Sequence, residues 1–134
     1  MKFLTGYIGV AVPFVAIDML WLSIMAERLY RPILGDILLP RPDLRPAAVF
    51  YLVYPLGLLG FAVLPAGDEV SGIRALMSGA FFGCITYATY DLTNQATLRN
   101  WSTVVTLADV GWGSLLGGVS AYIGYLVLQH IIAN

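Results

Sequence analysis

Four apolar stretches, parted by short polar ones, set the pattern of this chain, and each is long enough for the roughly 20 residues that cross a bilayer as helix. They cover about residues 3–25, 47–64, 72–94 and 103–132. The first is broken only by Pro13 and Asp18, and it runs through the region where a signal peptide would be cleaved, so it reads as a retained helix. The second opens after Pro46 and closes at Pro65, with Gly67 and Asp68 as stop signals. The third has the least defined end, because TYDLTNQATLRNW is polar yet holds neither Gly nor Pro. The pattern predicts an all-α, polytopic membrane protein: a four-transmembrane-helix bundle making one integral membrane domain over residues 1–134.

The connections refine this expectation. Between helices one and two, RLYRPILGDILL mixes apolar and charged positions as a short interfacial helix would, and PRPDLRP beside it is a stiff turn. The connection from Pro65 to Ser71 is so short that helices two and three should be antiparallel neighbours. Arg28, Arg31, Arg41, Arg45 and Arg99 fall on one side, against Lys2 and Arg74 on the other. The excess of basic residues belongs in the cytoplasm, which would leave both termini outside.

Composition agrees with a membrane solvent. Of 134 residues, 59% are hydrophobic and 11% charged, against roughly a quarter charged in an ordinary soluble domain. A net charge of −1 gives no polyanion-binding signature, so nucleic acid is not an expected partner. Cys84 stands alone and can form no internal disulfide; His130 is the only histidine, so a histidine-rich metal site cannot be built and no metal site is indicated. No cofactor is specified, and no phosphate-cradling loop or nucleophile–histidine pair is present.

Candidate chemistry lies where acids interrupt the apolar stretches. Asp18 lies seven residues before the end of the first helix and Asp109 about six into the fourth, so at about 1.5 Å per residue both sit roughly 10 Å inside one membrane face. Asp91 approaches that face from the third helix. A charged group in hydrocarbon must be paired, hydrated or neutralised, and a polar interior site follows. Its candidate members are Asp18, Tyr87, Tyr90, Asp91, Asn94, Thr97, Asp109 and Trp112, with Arg28 and Arg99 as candidates to snorkel down and pair with an acid. Three readings of the acids stay open: an internal brace, a lipid or ligand site, and proton or acid–base chemistry with Tyr87 or Tyr90 as donor. Gly79 and Gly83, and Gly113 and Gly117, form GxxxG pairs suited to close helix packing. Tyr7, Tyr30, Tyr51 and Trp101 read as interfacial anchors.

The strings DMLWL at Asp18, YLVYPLG from Tyr51 to Gly57, YATYDLTNQATLRNW from Tyr87 to Trp101 and ADVGWG from Ala108 to Gly113 resemble a family of uncharacterised bacterial four-helix inner-membrane proteins, a domain of unknown function. The resemblance implies a multi-pass protein of the bacterial inner (plasma) membrane and, from gene setting, a pointer toward membrane-lipid modification. The leading functional expectation is a lipid-binding accessory component of membrane-lipid metabolism, with membrane lipid as partner and a homo-oligomer or membrane protein as a further one. Its rivals are a membrane-embedded enzyme acting on a lipid or isoprenoid by carboxylate and tyrosine acid–base chemistry, and a small proton-coupled transporter working as an oligomer.

Overall fold

A computed structural model describes residues 1–133 and contains four helices: α1 (Lys2–Leu34), α2 (Leu44–Asp68), α3 (Gly72–Thr97) and α4 (Thr103–Ile132). Each of the last three starts at a side-chain cap. Asp43 accepts from the Arg45 amide at 3.0 Å, Ser71 from Arg74 at 3.3 Å and Ser102 from Val104 at 3.1 Å, satisfying amide groups that a helix start leaves without partners. The Arg45 side chain also bonds Asp43, and together these bonds hold that carboxyl below the usual carboxylate range.

Two expectations are corrected. Only α1, α2 and α4 are long and apolar enough to cross a membrane, at 33, 25 and 30 residues; α3 is not, so a bundle of four transmembrane helices is overturned. The reason lies in the second half of α3, where Thr86, Thr89, Asp91, Thr93, Asn94, Gln95 and Thr97 dilute the apolar run that begins at Gly72. The short interfacial helix expected between the first two helices is also absent as a separate element. Ala26–Tyr30 continues α1 as a π turn, Arg31–Leu34 returns to α-helix, and residues 35–43 form turns and bends.

Proline explains the π turn. Pro32 has no N–H and its ring crowds the carbonyl four residues back, so the helix passes it by widening just upstream. The Arg31 amide bonds the Ala26 carbonyl, five residues behind it. The same device recurs in α2: Leu59–Val63 is a π turn, the Leu64 amide bonds Leu59, and Pro65 follows two residues after the turn ends.

The helices run up and down. Lys2 pairs with Asp68 at 2.9 Å, setting the start of α1 beside the end of α2; Asp18 meets Trp112, and Tyr54 meets Thr86. Where α2 turns into α3, the Ser71 amide bonds Ala66 and the Val70 amide bonds Gly67 in a Schellman close, with Val70 at φ 51°, the left-handed position usually given to glycine. The core of Val10, Phe14, Leu58, Leu59, Val63, Leu116 and Leu128 joins α1, α2 and α4. Where Gly83 crosses Gly113 and Gly79 crosses Gly117, α3 and α4 leave no room for a side chain: a methyl on Gly83 would overlap the Gly113 carbonyl, and one on Gly79 the Gly117 carbonyl. The two GxxxG pairs therefore face each other within one chain, and the backbones touch.

A candidate carboxylate–aromatic cavity

Adjoining that seam, where the Tyr87 ring packs on Gly113, the end of the bundle holding the C-terminal part of α1 and the start of α4 opens into a cavity of about 700 Å³. A second chamber of about 490 Å³ adjoins it, sharing Phe50, Tyr87, Tyr90 and Asp109 as walls. The turns after α1 supply its outer edge through Ile37, Leu38, Leu39 and Pro42.

Two buried carboxylates line the cavity, and each is held by uncharged donors. The Tyr51 hydroxyl donates to Asp18 Oδ2 at 2.6 Å, and the Trp112 indole N–H donates to Oδ1 at 3.0 Å. On the other side, the Tyr30 hydroxyl donates to Asp109 Oδ1 and accepts from the Trp21 indole at 3.0 Å. Trp21 and Trp112 stack, centroids 4.3 Å apart and planes 10° from parallel, so the two hydrogen-bonded arms are joined through an aromatic pair. The π turn matters here, because it changes the angle at which Tyr30 leaves α1 and lets the hydroxyl reach Asp109 on α4.

Asp91 is different. It is fully buried and receives no hydrogen bond from an amide or a neutral side chain; its partner is the Asp109 carboxyl, with which it forms an acid–acid hydrogen bond. Two carboxylates side by side repel unless a proton or a cation lies between them. The aromatic wall near them is firmly placed. Trp101 donates to Thr106 Oγ1 at 3.0 Å, Thr106 donates to Gln95 at 2.8 Å, and Tyr90 meets Trp101 edge-on at 5.9 Å. Deeper in, Tyr54 shares a 2.8 Å hydrogen bond with Thr86 and stacks on Phe14.

Of the candidates read from sequence, Asp18, Tyr87, Tyr90, Asn94, Asp109 and Trp112 line the cavity. Asp91 lies beside it, next to Asp109. Thr97 stands apart: it is exposed and bonds the Thr93 carbonyl at 2.8 Å. Arg28 and Arg99 are exposed and take part in no ion pair among the described residues; tyrosine and tryptophan hold the acids instead. Among the described residues, no group of three or more His, Cys, Asp or Glu side chains is close enough to hold a metal ion. Trp21, Tyr30, Tyr51 and Trp101 are the members that sequence reasoning did not assign to the site. The sequence reads Tyr30, Tyr51 and Trp101 as interfacial anchors; the signals that point inward are the three-residue spacing of Tyr51 and Tyr54 on one face of α2 and the place of Trp21 and Trp101 in the strings that carry the family resemblance.

Helices able to cross a bilayer, enclosing acids tied to tyrosine and tryptophan, define a multi-pass membrane protein with a buried polar site. The chain belongs to the family described as predicted membrane protein (DUF2177), whose model matches residues 3–126. No curated protein and no solved structure matches it.

Proposed function

We propose that this chain is a lipid-binding component of the membrane, its cavity receiving a polar head group while the acyl chains remain in the bilayer. The observation that carries the reading is the cavity itself: about 700 Å³, within the range of small-molecule sites, set among membrane-crossing helices, with carboxylates inside and an apolar edge of Ile37, Leu38 and Leu39. The arginines around the cavity end, Arg28, Arg31, Arg41 and Arg45, support an orientation in which it faces the cytoplasmic leaflet of a bacterial inner membrane.

The test is native mass spectrometry of the protein extracted from its membrane. Wild type retains lipid through delipidation, and Asn94→Trp, which fills the cavity, loses it. Equal retention by both, or none by either, overturns the reading. A second reading, an enzyme that turns the lipid over, draws on the Tyr51–Asp18 and Tyr30–Asp109 pairs, each a hydroxyl proton beside a carboxylate. It requires a chemically altered lipid to accumulate on incubation.

A further inference from the structure

We infer that the group this cavity accepts is positively charged: an alkylammonium, the primary or quaternary amine end of a lipid head group. The inference rests on the lipid-binding reading and adds the sign and chemistry of the occupant.

Three features point the same way. The first is charge. Asp18 and Asp109 line the cavity and Asp91 lies against Asp109, whereas the one basic lining residue, Arg31, is already paired with Glu27 at 2.7 Å. With one proton shared by Asp91 and Asp109, that pair and Asp18 still leave the cavity with an excess of negative charge that no described lining side chain offsets, and a phosphate-only or carboxylate head group would be repelled. The second is the Asp91–Asp109 pair, two carboxyls in contact with Asp91 fully buried and receiving no hydrogen bond from any other group. Burial of such a pair is costly unless something compensates it, and a cation arriving at Asp109 would supply the missing attraction to both. The third is the wall. Eight of the twenty lining residues are aromatic, against 13% of the whole chain, and the faces of tryptophan and tyrosine attract ammonium groups more than they attract any anion.

Metal cations are the weaker match, because these acids do not form a ligand set and Asp18 already spends both oxygens on Tyr51 and Trp112. An alkylammonium needs no such set. Its charge is spread over a soft, bulky group that an aromatic box with a carboxylate edge accommodates.

A direct measurement is available because the chain has three tryptophans, Trp21, Trp101 and Trp112, and all three line this cavity. Their fluorescence reports on the site alone. The full chain in maltoside micelles is titrated with dodecyltrimethylammonium, with dodecyl phosphate and with tetramethylammonium. The expected result is saturable quenching by dodecyltrimethylammonium at concentrations about tenfold below those needed for dodecyl phosphate, the order of effect of one desolvated charge pair. Asp109→Asn, which keeps an oxygen for Tyr30, should erase that preference while leaving the far-ultraviolet circular dichroism of the free protein unchanged.

Tighter binding of dodecyl phosphate would overturn the inference and leave the lipid reading standing. Tetramethylammonium binding as tightly as the dodecyl compound would support the ammonium chemistry and overturn the lipid source. Saturable response to none of the three would overturn both. The comparison of surfactants is made on the wild-type protein, so it holds even if the variant fails to fold.

Discussion

The two halves of this bundle solve opposite problems. Along the α3–α4 seam, Gly79, Gly83, Gly113 and Gly117 remove side chains so that two backbones can touch. Beside it, tyrosines and tryptophans hold the helices apart around a cavity. Close packing does not tolerate change, since dense interiors feel a single added carbon, while the open half owes its shape to a few directed hydrogen bonds. The lesson is that the seam supplies a rigid frame, and the frame allows carboxylates to be kept beside it in an arrangement that packing alone would reject.

The sharpest way to break this contrast is at the seam. Gly83→Leu drives a side chain into the Gly113 carbonyl, a neighbour that cannot swing aside, and should lower stability by about 3 kcal/mol, read as a fall in the midpoint of thermal unfolding in detergent. Gly111→Ala is its control. It meets open space and should raise stability by up to about 1 kcal/mol through helix propensity. Equal losses at the two positions would show that the seam is not a special contact.

In the open half, the two kinds of buried acid should respond in opposite directions. Asp18→Ala strands the Tyr51 hydroxyl and the Trp112 indole, for a loss of about 2 kcal/mol, with Asp18→Asn recovering part of it. Asp91→Leu replaces a fully buried carboxyl whose one partner is another acid, Asp109, and should stabilise the protein by about 1 kcal/mol, while weakening dodecyltrimethylammonium quenching. A destabilised Asp91→Leu would mean that the bond to Asp109 outweighs the cost of burying the two acids together.

Much of the fold was legible because it depends on local signals. Apolar stretches act over a few residues, and α4 spans the expected 103–132, whereas α1 and α2 overrun their expected ends at 25 and 64 to reach Leu34 and Asp68. What was not legible depends on partners. The stretch RLYRPILGDILL reads as a separate interfacial helix, yet α1 runs through Pro32 to Leu34 because a π turn absorbs the missing bond. The apolar opening of α3 reads as a full span, although its second half is too polar. At the site, the acids stand out in an apolar background, so Asp18, Asp91 and Asp109 were visible as candidates. Their hydrogen-bond donors were not, because Tyr30 and Tyr51 look like any tyrosines near a membrane interface until helix rotation turns them inward.

The π turn at Ala26–Tyr30 makes the aim of one hydroxyl a matter of counting. An α-helix advances about 100° per residue, and a π turn holds one residue more than the same coil of α-helix. That surplus residue works like a single extra tooth on a gear: everything beyond it, Arg31–Leu34 included, is indexed round by one position, while everything before it keeps its setting against the core. Within a single rod, α1 thus carries two independent bearings, one that faces Val10 and Phe14 into the bundle and one that trains Tyr30 on Asp109. A chain one residue shorter at this point could keep the first bearing and would lose the second.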